Sequence, residues 1–138
     1  MPSYQALIFL SVLGWGVGSL FSKLANNAMH PIMISCVILV VDAILLPVAF
    51  VFFKFDRSLP LNGVLLAAGV AVMMTMGTMG FSFALKAGGG AGEVTALTAV
   101  YPALTLALSC LFLGETLTVK KGIGIAFAIL SCVILGLK

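Results

Sequence analysis

Charge is scarce in this chain. Only 8% of its 138 residues are Asp, Glu, Lys or Arg, against 62% that are hydrophobic, whereas a soluble domain carries roughly 25% charged residues. That shortage excludes a water-soluble globular protein, which needs a polar cover for its core. The seven basic and four acidic residues fall mainly between apolar blocks rather than on one face, which argues against nucleic acid as a partner. Histidine occurs once, at His30 before Pro31 in a turn, and reads as structural. Cysteine occurs three times, as Cys36, Cys110 and Cys132, all inside apolar stretches and without CxxC spacing. Neither a disulfide framework nor a zinc site is indicated, and the three read as small packing residues. No nucleophile, base and orienting group recur together and no metal-ligand cluster exists, so neither an enzyme nor a cofactor is expected. The start, "MPSYQALIFLSVLGWG", lacks the cationic region and short apolar core of a cleavable signal. Its apolar block reads as a retained membrane crossing.

What the chain has in abundance is long apolar runs. A bilayer crossing takes about 20 mostly apolar residues, and five such blocks are expected as transmembrane helices over 5–25, 31–53, 61–86, 92–113 and 119–137. Strands are excluded, because a barrel strand needs about ten alternating residues and these runs are twice that. The breaks between blocks are "NNAMHP", "KFDRSLPLNG", "KAGGGAGE" and "GETLTVKK", rich in turn formers and charge. The expected fold is therefore an all-α integral membrane protein of five transmembrane helices, one domain over 1–138 with the lipid bilayer as its surroundings. Five crossings put the termini on opposite sides. Lys54, Arg57, Lys120 and Lys121 then share the N-terminal side, and Lys23, Lys86 and Lys138 the other. The positive-inside rule is nearly balanced on this count, which leaves insertion in both directions open.

In lipid, small and polar residues at helical spacing mark the faces turned towards protein or a cavity. The fourth block carries Thr95, Thr98, Pro102, Thr105 and Ser109 on one side, with Tyr101 beside them. Pro102 removes an N–H and bends the axis. This stripe is either a packing seam or a face that lines a substrate path. The first block has Ser11, Trp15, Gly18 and Ser22 on one stripe, and the third has Thr75, Thr78 and Ser82, surrounded by Met73, Met74, Met76 and Met79. Close helix contact is the plain reading of both, and a cavity wall containing Trp15, Gly18, Thr75 and Thr78 is the functional one. The fifth block is poor in polar residues and is expected at the periphery, with Gly122, Gly124, Ala126 and Ala128 as docking positions.

Asp42 lies inside "VILVVDAILLP", about 16 Å into its helix at about 1.5 Å per residue. Insertion of a central carboxylate costs about 2.5–3.5 kcal/mol, so the side chain must face protein or water. It is a candidate proton-binding or substrate-pairing group, or else an interhelical hydrogen-bonding partner, and Lys23 on a neighbouring helix is its candidate cation. Glu93 follows "AGGGAG" at the start of the fourth block, where the helix dipole favours a negative side chain. It reads either as an interfacial cap or as part of an entrance for charged solutes. Glu115 reads as a turn-orienting partner for Lys120 or Lys121.

The segments "LGWGVGSLFSKLA", "FALKAGGG" and "VYPALTLALSCLFLGETLTVKKGIGIAFAILSCVILG" resemble the EamA unit of the drug/metabolite transporter superfamily over essentially the whole chain. The matching positions are Trp15, Gly16 and Lys23; Ala84 and Leu85; Pro102; Leu113, Gly114 and Glu115; and Gly122, Gly124 and Gly136. The resemblance implies half of a ten-helix inverted-repeat transporter, working in the plasma (inner) membrane. Small organic solutes or metabolites would be its substrates, moved by alternating access. It also implies a homodimer, antiparallel in one arrangement, that closes two polar sides around a cavity, as in inverted-repeat transporters. The substrate-lining set would be Trp15, Gly18, Thr75, Thr78, Thr98, Tyr101 and Thr105, with Asp42, Glu93 and Lys23 for charge or proton coupling. Many family members carry an arginine early in the second helix, where Val37, Ile38 and Leu39 stand here. A partner-dependent membrane subunit remains an alternative. So does a small multidrug-resistance exporter, although that group relies on a first-helix glutamate and residues 5–25 contain no acid.

Overall fold

A computed structural model describes residues 4–52 and 58–136. Its elements are all helices: α1 Tyr4–Ala28, α2 Pro31–Phe52, α3 Leu61–Lys86, α4 Ala91–Thr98, α5 Tyr101–Phe112 and α6 Val119–Gly136. Counting α4 and α5 together, five spans are long and apolar enough to cross a membrane, with mean hydropathies between 1.6 and 2.7. The all-helical membrane fold is therefore as the apolar blocks demanded. Residues 53 and 137, where two helices were expected to end, lie outside the described residues, as do Lys54, Arg57 and Lys138.

The turns follow from local chemistry. Pro31 opens α2, where its missing N–H costs nothing. Gly88 (φ 110°) and Gly114 (φ 67°) follow α3 and α5 in the left-handed region, the conformation that stops a helix and that side-chain-bearing residues rarely adopt. After Gly114 the chain folds back, so that the Glu115 N–H donates to the Ser109 carbonyl at 3.3 Å. Thr118 starts α6 by accepting the Lys121 N–H on its hydroxyl at 3.4 Å, the side-chain cap of a helix N-terminus.

The expected fourth helix differs most from a simple rod. It breaks at Ala99–Val100 into α4 and α5, and Pro102 occupies the first turn of α5 rather than a bend inside one helix. The physical reason is the one proline supplies everywhere: it offers no N–H to the carbonyl of Thr98 and its ring crowds that turn. The Ala99 N–H turns back to Thr95 and Ala96, while the Ala103 N–H reaches Val100 at 2.9 Å.

The described chain divides into two compact units. One joins the residues up to Leu20 with those from Gly89 onward, and the other is Phe21–Gly88. In the first unit α6 packs on α4 and α5, the two halves of the fourth crossing, and none of its described residues is buried. In the second, α2 packs on α3, and the buried residues Asn26, Pro31, Ile34, Ser82 and Leu85 gather at the end of α1, the start of α2 and the end of α3. At most 11% of any membrane-crossing window is buried. Apolar helices this little buried within their own units suit a lipid surrounding and not water.

Candidate functional site

The polar stripe of the fourth crossing is present on α4 and α5, and most of its hydroxyls bond within their own helix. Thr95 donates to the Ala91 carbonyl at 2.7 Å, Thr98 to those of Val94 and Thr95 at 2.9 Å each, and Thr105 to that of Tyr101 at 3.1 Å. Ser109 donates to Leu106 at 3.0 Å. A hydroxyl that donates to its own backbone can sit against an apolar medium without loss, and it keeps its lone pairs as acceptors. Thr98, Tyr101 and Thr105 are exposed around the helix break, which gives this edge both acceptors and an aromatic face.

The break is braced from α6. The Cys132 thiol lies 3.3 Å from the carbonyls of both Ala96 and Leu97 and donates into the last turn of α4. Those carbonyls belong to the turn that loses regular helical partners at a helix end. Close approach continues one turn further, where a Cβ on Gly136 would stand 3.9 Å from Leu97. Cys132 read from sequence as a packing residue. The hint that it does more was its place on α6, in register with a helix that Pro102 had to interrupt.

Trp15 and Gly18 lie in the first unit on the exposed face of α1, and nothing stands within 4 Å of where a Gly18 Cβ would be. Thr75 and Thr78 lie in the second unit, exposed on α3, where Thr78 donates to the Met74 carbonyl at 2.9 Å. Trp15, Gly18, Thr98, Tyr101 and Thr105 thus belong to one unit, and Thr75 and Thr78 to the other.

Asp42 stands at the middle of α2, eleven residues after Pro31 in a helix of 22. Its side chain is exposed on the helix and takes no hydrogen bond or ion pair from any described residue. Lys23, its candidate cation, turns elsewhere: its Nζ donates to the Leu85 carbonyl at the end of α3, at 3.0 Å. Lys86 returns the contact by donating to the Asn26 carbonyl at the end of α1, at 2.8 Å. Asn26, near the end of α1, and Ser82, one turn before Lys86 on α3, are fully buried. The Asn26 amide nitrogen donates to the Ser22 carbonyl at 2.8 Å, but its Oδ1 and the Ser82 Oγ have no partner among the described residues. Nearby, His30 accepts the Ile32 N–H on Nδ1 at 3.3 Å and meets the Phe83 ring edge-on at 5.8 Å, the structural role its sequence position suggested.

Glu93 occupies the first turn of α4 and folds back over Gly90, whose Cβ position lies 3.7 Å from the Glu93 carboxylate. The negative side chain thus sits where the helix dipole stabilises it. Glu115 pairs with Lys121 at 3.1 Å, and both side chains are nearly half exposed. Such a pair orients the turn and contributes little to stability. Among the described residues there is no group of three or more metal-ligating side chains.

Five apolar spans, polar hydroxyls kept within helices and one crossing interrupted at a proline together describe a multi-pass membrane protein. The chain belongs to the EamA-like transporter family, whose match covers residues 3–137. This is a family of transporters. The chain is also similar to an uncharacterized protein of Methanocaldococcus jannaschii, at 31% identity over 140 residues that cover 100% of this chain and 99% of that protein. No solved structure matches it.

Proposed function

We propose that the protein is a secondary transporter of small organic solutes or metabolites, working by alternating access in the plasma (inner) membrane as a homodimer of inverted five-helix units. The observation that carries this reading is the interrupted fourth crossing. Discontinuous helices whose ends border a cavity are where transporters of this general design hold their solutes, and here the break is flanked by Thr98, Tyr101 and Thr105. In this reading Trp15, Gly18, Thr75 and Thr78 complete the lining, and residues 1–138 act as one functional domain. Asp42 binds the coupling proton or a cationic part of the solute, because a carboxylate at the centre of a span is otherwise a net cost. Glu93 and Lys23 contribute charge at the ends of their helices.

One feature supports the dimer: the nearly balanced basic residues permit either orientation in the membrane. The test is reconstitution of the purified chain alone into liposomes, followed by counterflow of a broad panel of radiolabelled amino acids, metabolites and amphipathic cations under an imposed proton gradient. At least one solute is expected to enter faster than into empty liposomes, and Asp42→Asn is expected to remove the effect of the gradient. Flux that appears only when a second, different chain is added would overturn the homodimer.

A further inference from the structure

We propose that the groove between α5 and α6 is a binding site for an anionic phospholipid. Ala99, Pro102, Ala103 and Leu106 form one wall, and Gly124, Ile125 and Ala128 form the other, enclosing an open furrow of about 320 Å³. Lys120 and Lys121 close one end of it. Gly124 and Ala128, small residues four apart on α6, keep the furrow open on that side, and no described polar side chain other than the two lysines lines it.

Charge at the mouth selects the occupant. Lys121 is engaged by Glu115 at 3.1 Å, whereas Lys120 makes no hydrogen bond or ion pair with any described residue. Both lysines occupy the first turn of α6, which contains no acidic residue, so their charge adds to the positive end of the helix dipole. The chain has little with which to neutralise them. Of its four acids, Asp42 is central in a span, Glu93 lies in the first turn of α4, Glu115 holds Lys121, and Asp56 stands between Lys54 and Arg57 in the sequence. A second copy would bring the same basic surplus. An amphiphile with a phosphate at the membrane edge and an apolar tail below supplies both missing complements, and basic recesses between membrane helices bind such head groups.

Each lysine near an anionic head group contributes about 1 kcal/mol, which corresponds to about a fivefold preference. The test uses the full chain in detergent, titrated with phosphatidylglycerol or with phosphatidylcholine of the same acyl chains, and counts bound lipids by native mass spectrometry. Wild type is expected to retain the anionic lipid about fivefold better, and Lys120→Gln to lose most of that preference. Lys121→Gln is expected to change it less, because its charge is already countered. Gly124→Leu fills the furrow without a backbone clash, since nothing stands within 4 Å of its Cβ position, and is expected to reduce retention of both lipids. The proposal is overturned if wild type binds both lipids equally, if Lys120→Gln keeps the full preference, or if Gly124→Leu retains as much lipid as wild type. Lipid retention is read without transport, so its outcome is independent of the solute-transport reading.

Discussion

Lys23 and Lys86 cap each other's helices: the ammonium of Lys23, on α1, donates to the last turn of α3 at 3.0 Å, and that of Lys86, on α3, donates to the last turn of α1 at 2.8 Å. Each cation lies where a helix C-terminus is most negative and satisfies a carbonyl that has few helical partners left. The exchange ties the two C-terminal ends together without an acidic residue.

Removing either lysine should therefore loosen the same junction. A hydrogen bond from a charged donor contributes about 1.5–3 kcal/mol, less where water screens it. Lys23→Met and Lys86→Met are each expected to lower the melting temperature in detergent by a few degrees. The double variant should lose less than the sum, because both contacts hold one crossing. Additive losses would show two separate contacts.

Asp42 behaves in the opposite sense. It makes no bond within the described chain, so Asp42→Leu removes about 2.5–3.5 kcal/mol of insertion cost. Membrane insertion measured by glycosylation mapping should be at least as efficient in the variant as in wild type, while solute flux in liposomes falls to background. A variant that fails to insert would show that the carboxylate is a structural partner.

Ser82 is fully buried, and its Oγ has no hydrogen-bond partner among the described residues. An unmet buried polar group costs about 1–3 kcal/mol. Ser82→Ala is expected to raise thermal stability by about 1 kcal/mol. A fall in stability would show that the hydroxyl has a partner from outside the chain, such as water.

Cys132 supports two carbonyls at the end of α4. Cys132→Ser keeps a donor at that position, and Cys132→Val does not. Amide hydrogen exchange at Ala99–Ala103 should therefore rise several-fold in the valine variant and stay near wild type in the serine variant. Equal exchange in all three proteins would remove the thiol from the support of that turn.

The crossings were legible in the sequence because hydropathy over about 20 residues is a property of each segment alone. Pro31, Gly88 and Gly114 were likewise local signals and stand at the helix ends they mark. Pro102 announced a disturbance but not its extent, since whether proline bends a helix or splits it depends on what satisfies the released carbonyls. The brace is Cys132, from another helix. The Lys23 and Lys86 exchange was hidden for the same reason: in the sequence Lys23 stood as a candidate cation for Asp42 and Lys86 only as a charge on one side of the membrane, and only the meeting of α1 with α3 gives each a carbonyl. The threonines were found as a stripe, but periodicity gives no sign of where a hydroxyl proton goes. Thr95, Thr98 and Thr105 direct theirs into their own backbone.

The interruption at Ala99–Val100 also leaves the fourth crossing as two separately bonded segments. With the Ala99 N–H bonded backward into α4 and the Ala103 N–H bonded within its own turn, a change of angle between α4 and α5 would break no backbone hydrogen bond of either segment, and the Cys132 brace would be the contact that resists it. A segment of 12 residues is about 18 Å long, so a tilt of about 10° would carry its Phe112 end about 3 Å sideways. That end leads into the Gly114 turn and the Glu115–Lys121 pair, so a rotation at the break would be felt first at that turn.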